Sequence, residues 1–233
     1  MELIRRASSR TSALLALLLA TAPLVGCAAG AGGAAGDTDS DSAEGGGGPA
    51  TTTTQAPPPP ACEYPSGPPG LAVGGVVNPA FTWDGYPEHR DKPGVVHVSN
   101  YLDCDGTKGI NALLIDVSAT WCGACQEEAA ELNAKLASSW TAKGIHVLTL
   151  MIEDGASNPA TVQTALAWKN QFQLDIAVVA DPAAEMLGTG AVSVGLPLQF
   201  VVDPRNMTIV ERIEGYAPTN PALEQVAAKN AQP

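Results

Sequence analysis

Two apolar runs, ALLIDV at Ala112–Val117 and IHVLTLMI at Ile145–Ile152, flank a stretch of helical spacing, and that arrangement leaves few folds open. Each run is short and rich in strand formers, which suits a strand buried on both faces. Between them Ala129, Leu132, Leu136 and Trp140 recur at helical intervals, so Gly123 to Trp140 reads as a helix that Lys143-Gly144 ends. Asn158-Pro159 has the form of a helix start, an N-cap followed by proline at the first helical position. Ile176 to Ala180 reads as a third strand, and Asp181-Pro182 opens a short helix that Gly188 stops. Leu198–Val202 and Met207–Ile213 form a hairpin around Asp203-Pro204-Arg205-Asn206, and Asn220-Pro221 begins a last helix ending near Asn230. The order β-α-β-α-β followed by β-β-α predicts an α/β domain, a mixed central sheet with helices on both faces.

The chain has 233 residues, and its first part does not belong to that domain. Arg5, Arg6 and Arg10 precede an apolar run from Ala13 to Leu19, too short to span a bilayer stably, and small residues follow. This describes an export signal over residues 1–26. Its ending, Leu24-Val25-Gly26-Cys27, resembles the bacterial lipobox, which implies that Cys27 is lipidated and becomes the mature N-terminus; the other reading is an ordinary signal with a chance cysteine. Residues 27–61 hold almost no large apolar side chain to offset the entropy of ordering, so they read as a disordered Gly, Ser, Thr and Pro linker. As a coil, such a tether reaches about 30 Å. Cleavage before Cys27 takes the formal charge from −12 to −14, since three arginines and Glu2 leave. That acidity argues against nucleic acid, which demands a basic footprint, and leaves the lipid to hold the membrane. Residues 62–233 are one domain by length, with 62–111 an extension and 112–233 the core.

The chemistry gathers in DVSATWCGACQEE, Asp116 to Glu128. Cys122 falls where the strand ends and the helix begins, so free backbone N–H groups and the positive end of the helix dipole face its sulfur. Such a site lowers a thiol's pKa, and thiolate is the species that attacks a disulfide. Cys125, one turn further in, is close enough to bond Cys122 and is shielded by the helix. The geometry makes Cys122 the attacking thiol and Cys125 the resolving one.

Trp121-Cys122-Gly123-Ala124-Cys125, following ALLIDVSAT, resembles the active site of thioredoxins, and more narrowly that of the membrane-anchored TlpA/ResA-like thiol-disulfide oxidoreductases of the bacterial envelope. The resemblance runs from about Ala112 to the C-terminus and implies a thioredoxin-like three-layer α/β/α fold. VSVGLPLQFVVDP matches the family strand that opens with a cis-proline, a role that falls to Pro197; a trans proline at a strand start is the plainer reading. Asp116 stands where thioredoxins carry a buried acid that exchanges the proton of the resolving cysteine. Glu128 stands where the narrower group often has an active-site glutamate, although an acid there also serves simply to offset the helix dipole. Trp121 would form part of the docking surface, with Gly195 and Leu196 offering backbone to a substrate strand. The chain departs from the family in its Gly-Ala dipeptide between the cysteines and in Leu198 after the proline, and both bear on the direction of electron flow.

Two cysteines remain, Cys62 and Cys104, and in an exported protein such a pair is expected to bond. A zinc site is disfavoured because only one close-spaced pair is present, and His89, His97 and His146 offer no spaced partner. A peroxidase would want a proline ahead of its cysteine that VSATWC lacks. The expectation is therefore an enzyme without metal or further cofactor that exchanges disulfides with envelope proteins, as reductase by resemblance. An oxidase or isomerase of the same fold, a metal-binding module or a non-catalytic tether are the rivals. Its partners would be protein substrates carrying disulfides or thiols and an upstream membrane electron donor. Its place would be the periplasm-facing envelope, with Ala28 compatible with the outer membrane.

Overall fold

The computed structural model describes residues 62–188 and 194–232. Cys27 and the two N-terminal segments lie outside the described residues. Ten regular elements follow one another: β1 (Thr82–Tyr86), β2 (Gly94–His97), β3 (Ala112–Ala119), α1 (Gly123–Lys135), β4 (Ile145–Glu153), α2 (Val162–Phe172), β5 (Ala177–Ala180), β6 (Leu198–Asp203), β7 (Thr208–Glu214) and α3 (Pro221–Asn230). The strands form one mixed sheet in the order β2-β1-β5-β4-β3-β6-β7. The strands β3, β4 and β5 run parallel, as helix-linked strands must, and the two hairpins β1-β2 and β6-β7 add antiparallel edges. Every residue of β3, β5 and β6 is buried, which explains why ALLIDV and LQFVV are near-continuous apolar runs and not alternating ones.

Residues 62–111, expected as an extension, contribute strands to this same sheet. Trp83, Tyr86 and Val96 point inward from β1 and β2, and β1 pairs with β5 over Asp84↔Ala180 to Tyr86↔Val178. Two ties hold the remainder of that segment. Cys62 and Cys104 form a disulfide with their Cα atoms 5.6 Å apart. Arg205, in the β6–β7 turn, donates to the carbonyls of Asp103 (2.7 Å), Ile110 (2.9 Å) and Asn230 (2.8 Å) and pairs with the fully buried Asp103 carboxylate. One guanidinium thus joins the loop before β3, the hairpin turn and the end of α3.

Two helix boundaries differ from the spacing. The helix expected from Asn158-Pro159 begins instead at Thr161, whose hydroxyl accepts from the Thr164 N–H while Thr164 reaches back to the Thr161 N–H. Pro159 is occupied in a bridge to Glu153, so the reciprocal threonine box sets the start. The helix expected to reach Trp140 is regular only to Lys135; a wide π turn over Leu136–Trp140 and a tight turn over Thr141–Lys143 follow. The wider turn accompanies Trp140, which is buried and donates Nε1–H to Glu224 of α3 at 2.9 Å, a bond that outweighs continued helical register. Gly144 then takes a left-handed φ of 69°, where a side chain would strike the Gly109 carbonyl.

Replacing Cys62 and Cys104 together with serine should lower the unfolding free energy by up to about 4 kcal/mol, the chain-entropy value for a loop of this length. The readout is the urea midpoint; an unchanged midpoint would mean that Arg205 and the sheet hold the segment without the bond.

Candidate active site

The cysteine pair sits at the junction that β3 and α1 create. Cys122 is the N-cap of α1, with extended backbone (φ −79°, ψ 110°), and its Sγ accepts the Cys125 N–H at 3.1 Å. A sulfur in the position usually held by a serine or aspartate oxygen receives one of the free N–H groups of the first turn, and the helix dipole adds to that field. Cys122 and Cys125 form a disulfide, their Cα atoms 5.2 Å apart. The first sulfur residue retains 6% of its surface and the second 1%, so an incoming group meets Cys122. This is the order of access that the attacking and resolving roles require.

Trp121 is half exposed, at 50%, and its indole N–H donates to Glu153 Oε2 at 2.7 Å, which pins the ring at the rim. Opposite in sequence, the Leu196–Pro197 peptide is cis and Pro197 is buried at the head of β6. The Pro197 carbonyl is taken by the Gly215 N–H at 2.8 Å and the Gly195 N–H by Glu214 Oε2 at 3.2 Å. Among the described residues the backbone of Leu196 has no hydrogen-bond partner, so of the two residues expected to offer backbone, Leu196 is the open one and Gly195 is engaged.

Behind the cysteines lies a polar row in an otherwise apolar core. In the sheet register Thr149 of β4, Asp116 of β3 and Gln199 of β6 are lateral neighbours, so their side chains share one face. Asp116 is only 2% exposed, and Ser118 donates its hydroxyl to both carboxylate oxygens, at 3.1 and 2.9 Å. Burial pushes its pKa up to about 7, while the Ser118 bond pulls the other way. Glu128 descends onto this row from α1. It is 3% exposed, three residues after Cys125 on the same helix face, and Gln199 Nε2 donates to its Oε1 at 2.6 Å. Its pKa is pushed up to about 9, first by burial and then by the charge of Asp116, against the Gln199 bond and Lys135. Glu128 Oε2 is buried with no hydrogen-bond partner among the described residues.

The dipole-compensating alternative for Glu128 does not hold: the residue lies in the second turn, beyond Gly123–Gln126, and faces inward. Sequence reading also passed over Gln199 and Glu153. The first carried a signal, since glutamine interrupts LQFVV just as aspartate interrupts ALLIDV, two residues after Pro197. The second did not, because an acid at the end of a strand is ordinary on a surface. Of the histidines, His146 pairs with Glu88 at 2.8 Å and His89 with Asp175 at 2.6 Å, both on the β1 side of the molecule. Among the described residues no cluster of three metal-ligating side chains occurs, and no helix is long and apolar enough to cross a membrane.

Two carboxyl groups raised above their ordinary range favour the fold when protonated. Stability is therefore fullest below about pH 4 and falls as pH rises from there, the loss being complete once the folded groups ionise, at about 7 and about 9. Glu128→Gln removes part of that penalty. The oxidised variant should lose less melting temperature than the parent between pH 5 and pH 8, by about 3 °C or more; parallel losses would mean that Glu128 is not titrating in the fold.

No protein-family model and no curated protein sequence matches the chain. Solved structures do. A protein assigned as thiol:disulfide interchange protein DsbE from Chlorobium tepidum is 23% identical, with 69% of this chain aligned to 99% of that one and a TM-score of 0.49. The thioredoxin domain of a thiol-disulfide oxidoreductase from Bacteroides vulgatus is 16% identical over 69% and 98% of the two chains, TM-score 0.45. Peroxidoxin BcpB from Mycobacterium tuberculosis is 14% identical over 68% and 95%, TM-score 0.46. The strand order, the cysteine pair at the β3–α1 junction and the cis-proline at the head of β6 together make this a thioredoxin-like α/β fold.

Proposed function

We propose that the chain is a thiol-disulfide oxidoreductase that acts on other proteins, and that it works as a reductase. The observation that carries this is the Cys122–Cys125 pair at a helix N-cap, with Cys122 the less buried of the two and Cys125 backed by two buried acids. With the pair reduced, the N–H of Cys125 and the dipole of α1 stabilise a Cys122 thiolate. This thiolate attacks one sulfur of a substrate disulfide; the other substrate sulfur leaves as a thiolate, and a mixed disulfide remains. Cys125 then gives its proton to a carboxylate of the Asp116–Glu128 pair and attacks Cys122 Sγ. The Cys122–Cys125 bond forms, the second substrate sulfur leaves, and two electrons have passed to the substrate. A dithiol donor of the membrane must return those electrons before the next cycle.

Docking draws on Trp121, exposed at the rim, and on the backbone of Leu196, which has no hydrogen-bond partner among the described residues and to which an extended segment can pair. Pro197 holds that backbone beside the pair. Gly195 shapes the approach without lending its N–H, which Glu214 occupies. The remainder of the reading comes from the N-terminal sequence: export, lipidation at Cys27, and a Gly, Ser, Thr and Pro linker over residues 27–61 that lets the domain face the periplasm from its membrane. The strongly acidic balance supports protein and not nucleic-acid partners.

The reduced protein should reduce insulin disulfides, and Cys122→Ser should abolish this. Cys125→Ser should instead retain the first attack and accumulate a mixed disulfide with substrate, visible on a non-reducing gel. A midpoint potential of about −270 mV supports the reductase direction, whereas one of about −120 mV would reverse it. Residual insulin reduction in Cys122→Ser would overturn the mechanism itself.

A further inference from the structure

Glu128 is reached by a chain of side-chain amides that begins at a helix cap. Asn220 is the N-cap of α3, and its Oδ1 accepts the Leu223 N–H at 3.0 Å. Because that oxygen is committed to the helix, the other end of the amide, Nδ2, must face away, and it donates to Gln199 Oε1 at 3.4 Å. The Gln199 amide is thereby oriented in turn, and its Nε2 can only point toward Glu128, where it meets Oε1 at 2.6 Å. Asn220, Gln199 and Glu128 are all buried, so water does not offer an alternative partner at any link. An amide turned end for end would set oxygen against oxygen at Glu128 and nitrogen against nitrogen at Asn220. The cap therefore selects one direction for the whole chain.

The consequence falls on the two oxygens of Glu128, which are no longer equivalent. Oε1 accepts a permanent donor and is kept as an acceptor. Oε2 has no hydrogen-bond partner among the described residues and is buried. We propose that Asn220 and Gln199 are positioning residues that hold Glu128 Oε1 as an acceptor, so that Oε2 is the oxygen that takes and returns the proton exchanged with Cys125. This deepens the disulfide-exchange reading and rests on it for the identity of the proton's source. The amide donor also opposes burial and the Asp116 charge, both of which disfavour ionised Glu128, and so keeps its titration within reach of the working pH. The other charged groups around Glu128 are Glu131 and Lys135 on α1, Tyr216 after β7, which also feels Glu127, and the two thiols when reduced. Tyr216 and Lys135 are themselves joined through Glu131 at the rim. None of these donates to Glu128 among the described residues, so the amide chain supplies its one hydrogen bond.

The test reads the carboxyl group directly. In the full domain, reduced and selectively carbon-13 labelled at glutamate, the Glu128 carboxyl resonance is followed from pH 4 to pH 11 and assigned through Glu128→Gln. Gln199→Leu should raise its titration midpoint by about one to two pH units, the value of a lost hydrogen bond to a charged group. Asn220→Ser keeps a capping oxygen for α3 but removes the amide that orients Gln199, and should raise the midpoint in the same direction by less. If Gln199→Leu does not fold, the serine variant carries the test. Unchanged midpoints in the folded variants would overturn the proposal. The pH profile of insulin reduction separates this inference from the reading beneath it. If the carboxyl midpoint moves and the activity profile moves with it, both stand. If the carboxyl midpoint moves while the activity profile does not, the amide chain orients Glu128 but Cys125 obtains its proton exchange elsewhere, and the Oε2 assignment is lost.

Discussion

The hydrogen-bonded register of β3 between β4 and β6 is the constraint from which the rest follows. Because strand neighbours share a face, Thr149, Asp116 and Gln199 are brought into one line beneath α1, and because β3 ends at Ala119, Cys122 is delivered to the start of that helix. A slip of one residue would turn Asp116 to the opposite face and draw an apolar neighbour under Glu128. Such a slip is expensive because it would part the buried Asp116 from its polar neighbours Thr149 and Gln199 and set it among apolar side chains. The position of the chemistry is thus a property of the sheet, not of the loop that carries the cysteines.

Two opposed electrostatic environments lie within one helix. At the N-cap, an N–H group and the aligned peptide dipoles favour negative charge on Cys122. One turn inside, burial disfavours negative charge on Glu128 and, through the strand, on Asp116. In the proposed cycle the first environment keeps Cys122 ionised, and the second holds two acids whose ionised form takes the proton of Cys125. A single dielectric environment could not serve both ends. Separation of the two tasks depends on the helix shielding Cys125 while leaving Cys122 with a small open surface.

Much of this was legible in the chain because the relevant physics is local or patterned. Strands buried on both faces write themselves as apolar runs, and Asp116 stood out as an interruption in one of them. Gln199 interrupts another in the same way, but its meaning appears only when β6 is laid beside β3. Pro159 offers the same local signature as a helix opening, but the turn through Asp154 and Asn158 folds it back to bridge Glu153, so α2 starts only after Thr161. The helix after the cysteines was read as too long for a similar reason: the spacing of Leu136 and Trp140 is helical, yet the Trp140–Glu224 bond to α3 pulls that turn wide. The β1-β2 hairpin left no clear alternation to read, since its pattern is short and its burial comes from β5.

Local pattern sufficed for the parallel strand–helix–strand unit and for Cys122 at the start of a helix, because periodicity and helix-end signals act over a few residues, and the resemblance added the proline that heads β6. Which acids are buried, which backbone beside Pro197 lacks a hydrogen-bond partner among the described residues, and which way the amides between α3 and α1 point emerge only when the elements pack together. Those outcomes depend on groups that meet from β3, β6, α1 and α3, where desolvation and hydrogen-bond direction are set by neighbours distant in sequence.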